Sequence, residues 1–332
     1  ELLSQAGLET ADLEGGHSDI ELWVDWANRA LDGARATVVS EALRGRDASP
    51  VVPPLRMDFN VEPDAEGYAI NLESLRADDR SLEATGRARV NPALTSLSGE
   101  ITDLPASLAA AAARVGLPGA RQLTGQGSVS RLSFRIPLRT PGQTRGLVAF
   151  EDLALDHAGL GLALGRIDGQ ASIGPEGATL TVEELDGGLT WQRYVRGELP
   201  LAGGRGKLSW SPDSRGGGTL HLADARLTSG ETTFTGGGEL IWDGNGGAPR
   251  ADLTFTGDSA DLPPLFAHLP QADDMPNKRL RDWLPRAITA ARITSAEVRL
   301  AGPLSQFPFA AGNGEFRVSV VGEDVDMAYK PG

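Results

Sequence analysis

Side chains able to do chemistry are few and scattered in this sequence. It has four histidines, His17, His157, His221 and His268, none within a ligand spacing such as HExxH. His221 alternates with Leu220 and Leu222, which puts its imidazole on the polar side of a strand. Carboxylates cluster at Asp78–Asp79, Asp273–Asp274 and Glu323–Asp324–Asp326. A glycosidase needs two carboxylates about 5–10 Å apart in a cleft, and turn-borne aspartates account for these clusters without one. The Glu323–Asp326 cluster lacks the loop pattern of an EF-hand. No serine sits in a GxSxG elbow. The run from Leu201 to Lys207 has glycines and a lysine but lacks phosphate-loop spacing, because Leu208 follows the lysine. With no cysteine, disulfides, thiolate chemistry and Cys-zinc sites are excluded. The reading is therefore non-enzymatic: no catalytic residue, no metal site and no cofactor.

The elements that hold these residues are mostly strands. Short apolar/polar alternations broken by glycine run from about Leu147 to Val321, as in Leu160–Gly174, Gly177–Gly188 and Gly216–Gly230. Period two starts earlier, at Leu55, with candidates near 55–62, 68–77, 81–90, 97–104 and 127–138. Residues 1–50 read as a helical N-terminal segment. Ser18 and Glu21 make a capping box, and Ile20, Trp23, Val24, Ala27, Leu31, Ala34 and Val38 follow at helical spacing. A β-rich trough is then expected over 51–259, with a short helix near 105–116 between Pro105 and Gly116. A helical insertion is expected over 260–292, carried by Leu280, Trp283, Leu284, Ala287, Ile288 and Ala291, and strands continue over 293–332. The expected fold is mainly β: a long curved antiparallel sheet, a repetitive meander forming an elongated trough, with a few short helices packed on it.

Composition narrows the partners. A formal charge of −14 excludes a nucleic-acid partner, whose affinity rests on Lys and Arg against phosphate. No run approaches the ~20 apolar residues of a membrane-spanning helix. The sequence starts at Glu1 without Met, so any anchor is expected outside this stretch.

Alternation sorts the apolar residues onto one face. Leu160, Leu162 and Leu164 share a parity, as do Leu180 and Val182, Leu220 and Leu222, and Leu253 and Phe255. So do Val298 and Leu300, and Phe316, Val318 and Val320. Two readings are open. A closed sandwich or barrel would cover these faces with each other. An open trough would expose more greasy surface than a monomer normally carries and would need a ligand in it. Acyl chains meet that need: at about 0.8 kcal/mol per buried CH₂, a ~16-carbon chain costs on the order of 13 kcal/mol to keep in water. These residues are the candidate lipid-groove set.

Between Leu262 and Tyr329 an ordered set of residues stands out: Leu269–Pro270, Leu280, Trp283–Leu284 and Ala287–Ile288. Gly302, Pro303 and Leu304 follow ahead of Phe307–Pro308–Phe309, then Gly314 with Phe316. In that order they resemble the YhdP branch of the AsmA-like proteins, over about a fifth of the chain. The pattern departs at Ala290–Ala291, where the family has glycine. The resemblance implies the periplasmic portion of an inner-membrane-anchored protein of the Gram-negative envelope, held by an N-terminal helix outside this stretch. It implies a bridge-like lipid transfer protein that moves phospholipid towards the outer membrane, with acyl chains as ligand and no catalytic residues. The alternative is a scaffold or assembly factor for the outer membrane, whose greasy face meets envelope proteins.

Overall fold

Residues of alternating polarity make strands when one face finds apolar cover, and they do so along nearly the whole chain. The structure is a computed structural model. It describes residues 13–14, 17–28, 30–45, 50–77, 80–91, 93, 95–108, 110, 123–158, 161–191, 197–213, 217–243, 249–258, 260–261, 283, 286–306, 309 and 311–328. The chain divides into two compact units: residues 1–157 with 170–175, and 158–169 with 176–332.

In the first unit the strands are β1 (Leu13–Glu14), β2 (Ser18–Ala27), β3 (Ala30–Ser40), β4 (Leu43–Gly45), β5 (Pro50–Val52) and β6 (Leu55–Asp64). They continue as β7 (Gly67–Ala77), β8 (Arg80–Leu82), β9 (Thr85–Val90), β10 (Ser96–Pro105), β11 (Leu123–Pro137) and β12 (Arg145–His157). The main ladder is antiparallel and runs β2-β3-β6-β7-β9-β10-β11-β12. The short β8 adds to β7. The small β1, β4 and β5 pair among themselves.

The next strand, β13 (Leu162–Gly174), gives residues 162–169 to the second unit and its last residues to the first. The second unit adds β14 (Gly177–Trp191), β15 (Glu198–Leu201), β16 (Gly203–Pro212), β17 (Gly218–Ser229) and β18 (Thr232–Trp242). It ends with β19 (Arg250–Asp258), β20 (Ala260–Asp261), β21 (Ile288–Pro303) and β22 (Glu315–Met327). Its ladder runs β14-β16-β17-β18-β19-β21-β22, again antiparallel throughout. Neither ladder closes into a barrel. Among the described residues β2 pairs only with β3, and β22 only with β21. The mainly-β antiparallel meander expected from the alternation is the fold observed.

Two expected helical segments are different. Ser18–Ala27 and Ala30–Ser40 are paired strands, not helix. Their alternating Ile20, Leu22 and Val24, set against Ala36 and Ala34 in register, outweigh the capping-box signal. Within the expected 260–292 insertion, Ala260–Asp261 is strand and β21 begins at Ile288, ahead of the expected 293. Trp283, Arg286 and Ala287 are helical, and 262–282 lies outside the described residues. Of the helix near 105–116, Ala106–Leu108 and Ala110 are helical and the remainder lies outside.

Besides Phe150 and Phe309, buried positions are held by small or medium side chains, among them Ala34, Ala69, Leu75 and Val129 in the first unit and Ile167, Ala251, Ala287 and Ile293 in the second. Among the described residues no large side chain is fully buried. These sheets have greasy faces that their own atoms do not bury deeply.

Candidate functional site

Directly opposed residues in an antiparallel pair point to the same face, so the registers can be followed across each sheet. In the second unit one row reads Leu180, Leu208, Leu222, Gly238, Leu253, Leu300, Phe316. A second, on the same face, reads Ala178, Trp210, Leu220, Leu240, Ala251, Gly302. A third joins Gly236, Phe255, Val298 and Val318, and a fourth Leu227, Phe234, Gly257, Ala296 and Val320. Leu180, Leu220, Leu222, Leu253, Phe255, Val298, Leu300, Phe316, Val318 and Val320 therefore share one continuous face. Val182 opposes Gly206 and shares the parity of Leu180.

The other face is wet. One of its rows reads Thr179, Ser209, His221, Glu239, Asp252, Ala301, Glu315. Arg299 holds Asp252 at 2.7 Å and donates to the Thr254 hydroxyl at 2.7 Å. The Thr235 and Thr256 hydroxyls meet at 3.0 Å.

Leu162 and Leu164 lie in β13 and are only half-buried, whereas Ile167, of opposite parity, is buried. Leu160 lies outside the described residues. At one rim of the face Trp210 and Trp242 pack edge to face, with centroids 5.6 Å apart and planes at 71°. Glycines on the apolar face leave room for neighbouring rings: Phe234 lies against Gly257 and Phe255 against Gly236. Ring-on-glycine packing leaves a low floor where two large side chains would make a ridge.

The first unit repeats the pattern with residues outside the expected set. One row reads Leu22, Ala36, Phe59, Leu72, Gly86, Ile101, Leu132, Val148. Its neighbour reads Val24, Ala34, Val61, Ile70, Ala88, Gly99, Phe134, Gly146. Over these rows lies a cavity of about 590 Å³, lined by Met57, Phe59, Ile70, Leu72, Leu97, Ile101 and Phe134 among others, with Leu108 from the helical residues after β10. Its volume lies in the range of small-molecule sites, and its walls are almost wholly apolar. Side chains from β3, β6, β7, β9, β10 and β11 all reach it, so the sheet is concave there. The signal that could have found it was the alternation already visible at 55–62, 68–77 and 97–104. Small residues at Ala34, Ala36, Gly86, Ala88 and Gly99 thin the greasy stripe and hide it.

Polar order backs this groove. On the outer face Asp58 accepts from the Thr37 hydroxyl at 2.8 Å and from the Ser74 hydroxyl. The Ser74 and Thr37 hydrogen bonds, then Arg56 and Arg76, hold its carboxyl below the ordinary aspartate value, against a smaller opposing effect of burial. Asp64 is lowered as well, first by the hydrogen bond from Arg89. Arg89 bridges Asp64 and Glu66, each at 2.6 Å.

The residues with chemical potential do not converge. His17 pairs with Asp19 at 3.0 Å in solvent, and His221 stands on the wet face. Glu323, Asp324 and Asp326 are exposed on β22, while Asp78–Asp79, Asp273–Asp274 and His268 lie outside the described residues. Lys207 stands in a wet-face row between Thr181 and Ala223, and Gly203 and Gly204 open β16 rather than a phosphate loop. Among the described residues no group of three or more His, Asp or Glu is placed to hold a metal ion. No described helix is long and apolar enough to cross a membrane. What the arrangement can do is hold apolar matter.

Comparison with known proteins gives two matches. The family model described as YhdP protein matches residues 2–332. Among curated proteins, the intermembrane phospholipid transporter YhdP of Escherichia coli (strain K12) is 23% identical over 259 residues, which is 78% of this chain and 19% of that protein. The chain thus spans about a fifth of the length of the relative it matches. No solved structure matches.

Proposed function

This chain belongs to the YhdP family, and from that premise we propose that it is a segment of a phospholipid transport protein that shields acyl chains on an apolar β-sheet face. The observation that carries the reading is the apolar cavity of about 590 Å³ on the concave face of the first unit. The second unit supports it with four apolar cross-strand rows on a single face. The E. coli relative's description as an intermembrane phospholipid transporter supports the choice of ligand.

Shielding needs no acid, base or metal. At about 0.8 kcal/mol per CH₂, an apolar lining offsets most of the cost of moving a ~16-carbon chain through water. Because the lining is almost wholly apolar, no position along it traps the chain, and a chain slides from one row to the next. The headgroup stays in solvent at the lips of the sheet. In this reading the chain works without enzymatic chemistry in the periplasm, as part of a protein anchored in the inner membrane, and delivers phospholipid towards the outer membrane.

The test is lipid co-purification from detergent-free extracts, read by native mass spectrometry. Leu72→Asp and Leu222→Asp each put a charge in the middle of an apolar row. The reading expects folded variants that retain several-fold less phospholipid than the parent. Unchanged lipid in both variants would overturn it, and a stoichiometric polypeptide in place of lipid would favour an assembly factor.

A further inference from the structure

The apolar face of the second unit ends differently on its two sides. On β18 the residues of this face are Phe234, Gly236, Gly238, Leu240 and Trp242. Trp242 opposes Gly218, and Trp210 opposes Leu220 one row further in. A Cβ on Gly218 would lie 2.6 Å from the Trp210 ring, so that ring leans out of its own row, over the glycine and towards the strand ends. There it meets Trp242, with centroids 5.6 Å apart and planes at 71°. Both rings are half-buried, and around them Ser211, Pro212, Asp213, Ile241 and Asp243 are exposed. The turn beside the pair is closed on itself. Asp213 N–H donates to the Gly217 carbonyl at 3.0 Å, and the Asp213 carboxylate accepts from the Gly217 N–H at 2.8 Å. The two indoles therefore stand on ordered backbone where the greasy face meets water. At the other end of β17 and β18 the same face finishes in hydroxyls, Ser229 opposite Thr232, and Thr232 is buried.

Indoles suit such a boundary. Each has a flat apolar body and one N–H donor, which is why tryptophan collects at the headgroup level of membrane proteins. The depth of the face fits as well. Leu240 and Phe234 are six residues apart on β18, about 20 Å at about 3.3 Å per residue. Between them on this face stand only Gly236 and Gly238, with the Phe255 ring lying against Gly236. One leaflet's acyl layer is about 15 Å deep, half of the hydrocarbon core. A chain that starts at the indoles and lies along the strands thus stays on apolar rows to its end.

We infer that Trp210 and Trp242 form the site for the glycerol-ester region of a phospholipid, so that headgroups leave the second unit's apolar face at this lip and acyl ends point towards Phe234. The two tryptophans are positioning residues: they fix which way round a lipid lies. The inference rests on the acyl-chain reading above and adds orientation to it.

The experiment labels the chain with 5-fluorotryptophan and 4-fluorophenylalanine. The signals of Trp210, Trp242 and Phe234 are assigned with Trp210→Phe, Trp242→Phe and Phe234→Leu. The protein is loaded with phosphatidylcholine carrying a nitroxide on carbon 5 or carbon 16 of one acyl chain, and bound lipid is measured by extraction. The carbon-5 label is expected to broaden the two tryptophan signals about twofold or more beyond the carbon-16 label, with the order reversed at Phe234. Trp210→Phe/Trp242→Phe keeps a ring pair but loses both N–H donors, and should bring the two labels within about twofold of each other at Phe234. With lipid bound, three results overturn the inference and leave the acyl-chain reading standing. They are equal broadening at the tryptophans, the opposite order there, or a double variant that keeps the parent's order at Phe234. A parent that binds neither lipid overturns both.

Discussion

Asp58 shows at the scale of one residue how the wet face steadies the greasy one. Its carboxylate ties β3 to β7 through Thr37 and Ser74 while Met57 and Phe59, on either side of it in sequence, face the cavity. Its pKa is lowered in the folded chain, so the stabilisation is fully present above the ordinary value of 3.8 and is lost as pH falls through the lower folded value. Asp58→Ala is expected to cost about 1–2 kcal/mol at neutral pH, because two hydroxyls lose their acceptor. Chemical denaturation below about pH 4 should show the gap between parent and variant narrowing. Gly238 makes a second point. Its φ of +139° disfavours any L side chain, and a Cβ there would strike the Asp252 carbonyl oxygen. Gly238→Ala should lose about 2 kcal/mol or more by the same measurement, whereas Gly142→Ala, with nothing within 4 Å, should stay within about 0.5 kcal/mol.

At the scale of the element, strands with one wet and one greasy face were legible and the N-terminal hairpin was not. In β2, Ile20, Leu22 and Val24 alternate as a strand should, but Trp23 falls on the opposite face and is 56% exposed. That extra aromatic, together with a real capping-box pair, makes the period look helical. Among the described residues β2 is an edge strand, and every residue of it is exposed, so burial does not sharpen its pattern. In the middle of a sheet, as at Leu220 to Leu222, both neighbours enforce the alternation and the reading is clean. The two structures differ in their exchange pattern. Hydrogen exchange across 18–40 should show every second amide of β2 unprotected and consecutive amides of β3 protected from Ala34 to Ser40, where β3 is paired on both sides. Uniform protection along 20–38, as in a helix, would contradict the strand assignment.

At the scale of the whole molecule, the apolar face of the second unit was legible because Leu, Val and Phe repeat there at period two. Its row from Leu180 to Phe316 is the physical form of that repeat. The first unit's groove residues escaped because Ala36, Gly86 and Ala88 stand among Phe59, Leu72, Ile101 and Phe134 in its lining and thin the greasy stripe that the sequence shows. The end of the helical insertion was placed too late: Ile288 and Ala291 fit a helical stripe, but from Ile288 on the pairing of β21 with β22, through register shifts at Ala290, makes strand. The central claim, that one face of these sheets holds acyl chains and the other does not, has a direct test along a single strand. A photoreactive amino acid is placed in turn at Leu220, His221 and Leu222 of β17, and at Asn71 and Leu72 of β7, and lipid adducts are read by mass spectrometry after irradiation in cells. Adducts at Leu220, Leu222 and Leu72 but not at His221 and Asn71 are the predicted result. Equal labelling at neighbouring positions, or none at the apolar ones, would contradict it.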